Sequence, residues 1–203
     1  MFVRVLFLLS ALVFPASAFS DTPGDAAYRA GHPEQAADLY RRGAEQGDST
    51  AAYKLWLLVN RGAVSAEKFG ISGKWFIKAC ELGDIVGCHN AGNGYEYGPA
   101  GKDGLEKDYV KARDFYQRAA SKGYMPSQYN LGSLFANEYF QDDVEGLKWL
   151  LIAQQTARGC AKAPLCAWVL EEPPGHIAHM RKRMPDDAQA SAEKLAADWK
   201  VEK

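Results

Sequence analysis

Bulky apolar doublets punctuate the chain at Leu39-Tyr40, Trp75-Phe76, Phe115-Tyr116 and Trp149-Leu150, and small residues follow each about one helical turn later. The doublets start 36, 40 and 34 residues apart, a period that belongs to stacked helix-turn-helix units rather than to one globular core. In the third unit Ala112, Phe115, Tyr116, Ala119 and Ala120 recur at spacings of three and four, so they share one helix face. Small residues let a neighbouring helix approach; the aromatics fill the layer between. This predicts a first helix from Gly87 to Gly98 and a second from Asp108 to Gly123. Gly123 is placed for a left-handed cap, and Pro126 reinforces the break.

The other units repeat the grammar with substitutions. The first keeps Ala36, Leu39, Tyr40, Gly43, Ala44 and Gly47, the second Trp75, Phe76, Ala79 and Gly83, and the fourth Leu131, Gly132, Trp149 and Ala153. These residues resemble the Sel-one-like repeat family, a relative of the tetratricopeptide repeat. Its pattern is A-x3-LG-x2-Y-x2-G followed by D-x2-KA-x2-WY-x2-AA-x2-G-x3-A, and the third and fourth units match it best. The resemblance implies an all-α fold, a right-handed solenoid of about four helix-turn-helix repeats, whose first helices line a concave wall. The first unit has only a rudimentary first helix around Ala26 to Ala30.

Two stretches depart from the repeat. Gly98-Pro-Ala-Gly-Lys-Asp-Gly104 lengthens the loop inside the third unit and is expected to be an exposed, mobile excursion. It is no phosphate loop, because no Ser or Thr follows the lysine and no strand precedes it. Cys160 to Gly175 falls outside the repeat, with Pro164, Pro173 and Pro174 expected to break it up. Helices are predicted beyond it at Ile177 to Arg183 and Asp187 to Trp199, joined at Pro185, as a polar cap on the last apolar face. Three regions result: residues 1–18, the solenoid over 24–159, and a disulfide-containing and capping region over 160–203.

Residues 1–18 read as a secretory signal, with Arg4 ahead of the apolar run Val5 to Phe14 and the small-residue site Ala16-Ser17-Ala18. The expectation is an exported, periplasmic protein with no lipid anchor. About 185 residues would remain, enough for one domain of average size. No later stretch approaches the roughly 18 to 20 apolar residues of a spanning helix, so no membrane insertion is expected. A net charge of -1 gives no field to attract nucleic acid, and the unbound chain is expected to be a monomer.

All four cysteines lie after the signal, and an even count in an exported chain points to disulfides. Cys80 ends one unit and Cys88 opens the next, so the turn at Gly83 folds one against the other; two unbridged buried thiols are the alternative. The same C-x7-C placement occurs in the cysteine-rich exported branch that this junction resembles. Four cysteines allow three connectivities, and proximity alone favours Cys160 with Cys166. The string Cys160, Cys166, His176, His179 has poor spacing for zinc, so no metal or other cofactor is expected. Ser65-Ala-Glu-Lys68 and Ser191-Ala-Glu-Lys194 match the S-x-x-K element of penicillin-recognising enzymes, but no K-T-G or S-D-N accompanies them. No catalytic residue is assigned and the chain is not expected to be an enzyme.

Family register leaves Tyr53, Asn60, Arg61, His89, Asn93, Tyr97, Tyr129, Ser133 and Asn137 off the packing stripe of the first helices, as candidate contacts to a protein partner. Tyr and Arg are frequent anchors because they join a large contact area to a polar handle. Small exported members of the resembling family include immunity proteins that silence antibacterial effectors, among them type VI phospholipases, and adaptors in envelope assembly. Immunity is the first expectation, assembly the second, and a weak β-lactam-directed or cell-wall hydrolase the third.

Overall fold

The computed structural model describes residues 22–69, 73–98, 105–137, 139–171 and 176–202, without the Asn60 side chain. The expected signal, the Pro99 to Gly104 part of the long loop and the Pro173-Pro174 break lie outside the described residues.

Twelve helices and no strand occur among the described residues. Helices α1 (Pro23–Arg29) and α2 (Pro33–Glu45) form a first pair, and α3 (Ser49–Asn60) leads through the single turn α4 (Ala66–Phe69) to α5 (Gly73–Glu81). Helix α6 (Ile85–Tyr97) pairs with α7 (Tyr109–Ser121), and α8 (Met125–Phe135) with α9 (Asp143–Arg158). Each pair stacks on the next, α2 on α3, α5 on α6 and α7 on α8, which makes a helical repeat solenoid.

Local chemistry sets the helix starts. Asp48, Asp84, Asp108 and Asp142 cap α3, α6, α7 and α9, each carboxylate accepting from a backbone N–H of the first turn. Gly83 and Gly123 take φ of 92° and 83° in the turns between pairs, backbone that a side chain would strain. Close approach fixes Gly92, where a Cβ would sit 2.5 Å from the Tyr116 ring.

The apolar doublets are less even than their spacing implies. Tyr40, Phe76, Tyr116 and Leu150 are all buried, whereas Leu39 and Phe115 are half-buried. Both aromatics of the third doublet pack between helices, as expected, but Phe115 is only half-buried. Tyr116 faces the gap at Gly92, while Phe115 stacks on Tyr95 with ring centroids 5.6 Å apart.

Past the repeats, α10 (Pro164–Glu171), α11 (His176–Arg183) and α12 (Asp186–Asp198) all pack on α9. Pro164 opens α10 instead of breaking the segment, since a proline at the first helical position forfeits only an N–H that would lack an intrahelical partner. Ala192 and Ala196 of α12 are buried, and Trp199 meets Trp149 edge-on at 6.1 Å. The C-terminal residues then return to the third pair, where Glu202 N donates to Ser121 O at 2.9 Å.

Both disulfides are formed. Cys80–Cys88 joins α5 to α6 and is buried at both ends; Cys160–Cys166 joins the end of α9 to α10, with Cys160 exposed and Cys166 buried.

Candidate protein-binding face

Polar side chains of the third and fourth pairs meet in one connected network. His89 Nδ1 lies 3.0 Å from Ser127 Oγ, and Asn93 Nδ2 lies 3.1 Å from His89 Nε2. The Tyr116 hydroxyl is 2.6 Å from Asn93 Oδ1 and 2.6 Å from Glu96 Oε2. Asn130 Nδ2 donates to Asn93 Oδ1 at 3.1 Å and to the Tyr116 hydroxyl at 3.2 Å. Helical spacing explains the assembly: His89, Asn93 and Glu96 stand three and four residues apart on one face of α6. Burial pushes the His89 imidazole down to about 4, so it is neutral. Burial likewise raises the Glu96 carboxyl, against the lowering effect of hydrogen bonds from Tyr116 and Tyr97.

The nine candidate contacts separate into groups. His89 and Tyr129 are each 8% exposed, so the expectation that they stand off the packing stripe does not hold. His89 belongs to the network, and Tyr129 packs edge-on against Trp168 at 5.0 Å with its hydroxyl 3.2 Å from His176 Nδ1. Ser133 Oγ lies 3.5 Å from the same nitrogen, so α11 also reaches it. Asn93 is half-buried with its amide engaged in the network. Arg61 is exposed, Tyr53, Tyr97 and Asn137 are half-buried, and the Asn60 side chain lies outside the described residues. Tyr53 stacks on Trp56 at 5.5 Å, and Asn137 Oδ1 accepts from the backbone of Tyr139 at 2.9 Å.

Glu96, Asn130 and Ser127 were absent from the sequence-based set. Their signal was positional: Asn130 sits next to Tyr129 and Glu96 next to Tyr97. The same register links the first two pairs, where Lys54 occupies the place of Asn130 and Tyr40 the place of Tyr116. There Tyr40 donates to Asp25 Oδ1 at 2.7 Å and Lys54 Nζ approaches both Asp25 oxygens at 2.7 Å. Burial raises the Asp25 carboxyl, but the bonds from Lys54, Tyr40 and Thr22 outweigh it and hold it well below the usual range. At the middle junction the tyrosine is Phe76, which has no hydroxyl, and the Asn90 Nδ2 in matching register is buried with no hydrogen-bond partner among the described residues.

Other candidate chemistry takes ordinary structural parts. Cys160 and Cys166 are bonded to each other, and His176 hydrogen-bonds Tyr129. Ser65 Oγ accepts from Glu67 N at 3.2 Å, as at a helix start, and Lys68 pairs with Glu34. Lys194 pairs with Asp198 at 2.8 Å. Among the described residues no helix is long and apolar enough to cross a membrane.

The chain's sequence matches the model of the Sel1 repeat at residues 33–48, 72–84, 85–124 and 126–153. Human cytochrome c oxidase assembly factor 7 is 32% identical over 108 residues, which are 50% of this chain and 46% of that protein. Its mouse counterpart is 34% identical over 108 residues with the same shares, 50% and 46%. The chain thus spans about half the length of the curated relatives it matches. A solved structure of c5321, a protective antigen present in uropathogenic Escherichia coli strains displaying an SLR fold, aligns with a TM-score of 0.60 at 26% identity. That alignment covers 82% of this chain and 32% of that one. Repeats of this kind indicate protein–protein interaction modules and are typically non-catalytic scaffolds. With its helix pairs stacked in register and the repeat matched in four segments, the chain is a Sel1-like repeat protein.

Proposed function

We propose that the chain is an exported, periplasmic adaptor that holds a protein partner during the assembly of an envelope complex. The observation that carries this reading is the pair of disulfides on an interaction scaffold, one of them buried across a repeat junction. Such bridges persist in oxidising compartments, and the signal-like residues 1–18 supply a route to one. The assembly role named for the human and mouse relatives favours an adaptor over the alternatives. Contact falls on the first-helix surface bearing Tyr53, Arg61, Tyr97 and Asn137.

Immunity against a type VI phospholipase-like effector would use the same surface, but no observation favours it over assembly. Deleting the gene separates the two. The adaptor reading expects loss of one multi-subunit envelope complex on native electrophoresis, restored by the full chain and not by one lacking Met1 to Ala18. Intact complexes together with new sensitivity to neighbouring cells would replace it with immunity.

A further inference from the structure

We propose that the Glu96–Tyr116–Asn93–His89 network is a two-state hydrogen-bond relay, in which the proton on Glu96 sets the tautomer of His89 on the same helix. The Tyr116 oxygen is 2.6 Å from two oxygens, Asn93 Oδ1 and Glu96 Oε2, and it has only one hydrogen to give. One of those contacts needs a hydrogen from the other side.

With Glu96 protonated, every contact is satisfied in one direction. Glu96 donates to Tyr116, Tyr116 donates to Asn93 Oδ1, and Asn130 Nδ2 donates to both. Asn93 Nδ2 then donates to His89 Nε2, so His89 carries its hydrogen on Nδ1 and gives it to Ser127 Oγ. With Glu96 ionised, Tyr116 donates to the carboxylate and must accept from Asn93. The Asn93 amide turns over so that Nδ2 donates to Tyr116 and to Asn130, whose amide turns with it to present its oxygen and gives up the Asn130–Tyr116 hydrogen bond, and Asn93 Oδ1 now faces His89 Nε2. His89 moves its hydrogen to Nε2, and Ser127 donates to Nδ1. Imidazole stays neutral throughout, and the only net change is the proton lost from Glu96.

Among the described residues, few charges act on the relay. Glu96 is faced by Tyr116 from α7, Tyr97 on its own helix and Lys107 ahead of α7, with Tyr109 and Tyr129 acting on Tyr97. His89 is faced by the rings of Tyr116 and Tyr124 and by Ser127. Burial favours the neutral acid, which brings the exchange toward neutral pH. The relay is independent of whether this face binds protein.

Nitrogen-15 spectra of the oxidised full chain, with histidines labelled and His89 assigned by a His89→Gln control, distinguish the two neutral tautomers. The His89 ratio should invert from Nδ1–H to Nε2–H as pH rises, with the midpoint of the Glu96 carboxyl carbon signal. Glu96→Gln, which keeps an N–H donor toward Tyr116, should hold His89 as Nδ1–H at every pH. Tyr116→Phe should leave the tautomer independent of pH while Glu96 still titrates. A His89 tautomer that stays constant in the unsubstituted chain while Glu96 titrates would overturn the relay, as would inversion that persists in Glu96→Gln.

Discussion

Lys54 Nζ lies 2.7 Å from both carboxylate oxygens of Asp25, and the two side chains are only 11% and 19% exposed. This pair ties the short first helix to the second repeat across α2, with the Tyr40 hydroxyl as the third member. Removing one partner strands the other in a site largely withdrawn from water. Asp25→Asn should therefore cost about 2 to 4 kcal/mol, read by chemical denaturation, with amide exchange accelerated first in α1. The Asp25 carboxyl is held below its unfolded value, so its contribution is present above the ordinary carboxylate range and is lost as pH falls through the folded value. Unchanged α1 protection in the variant would contradict this.

Burial of neutral His89 gives a second pH effect. Its folded value of about 4 lies below the ordinary 6.5, so the unfolded chain binds more protons between those limits. The stabilising contribution is complete above about pH 6.5 and declines as pH falls toward 4. Wild type should lose stability between pH 7 and pH 5 more steeply than His89→Gln, measured by urea unfolding at each pH. Equal slopes would show that His89 protonates freely in the fold.

Much of the architecture was legible in the sequence, because a repeat writes the same packing problem four times. The 34- to 40-residue spacing, the Gly83 and Gly123 turns and the Cys80–Cys88 junction all follow from local rules about helices and their ends. The face was harder to read. His89 and Tyr129 were placed outside the packing stripe by register alone, but their burial depends on Ser127, Trp168 and His176, which arrive from other helices. Glu96 escaped notice for the same reason: its partner Tyr116 is 20 residues away and lies opposite only once the pair has folded.

The doublet hierarchy predicts unequal costs. Tyr116→Ala should destabilise by about 3 to 5 kcal/mol, as expected for a large buried aromatic. Phe115→Ala should cost less, about 1 to 3 kcal/mol, because its ring is only half-buried. Reversal of that order in thermal or urea unfolding would contradict the assigned packing.

Phe76→Tyr should place a hydroxyl where its register equivalents Tyr40 and Tyr116 have one, within reach of the orphaned Asn90 amide. A gain of about 0.5 to 1.5 kcal/mol is expected, and it should disappear in the Asn90→Ala background. A gain of equal size without Asn90 would rule out this pairing.

The two disulfides should differ in accessibility to reductant, since Cys160 is exposed and the Cys80–Cys88 bridge is buried at both ends. Under mild reductant, alkylation and mass mapping should label Cys160 and Cys166 first. Cys88→Ser should cost roughly 2 to 3 kcal/mol while leaving most of the far-ultraviolet helical signal. Simultaneous labelling of all four cysteines in the native state would contradict the difference in burial.

Protein binding through the first-helix surface is the central claim, and a photo-crosslinking amino acid placed at Tyr97 in the chain expressed in its own cells tests it most directly. One discrete adduct should form at position 97 and at the Arg61 position. No adduct should form at Lys78, an exposed position on the second helix α5. Combining Tyr53→Ala, Arg61→Ala and Tyr97→Ala should abolish the adduct made by a crosslinker moved to Asn137, with the helical signal intact. Adducts at Lys78 in place of positions 61 and 97, or an undiminished Asn137 adduct in the folded triple variant, would contradict binding on this face.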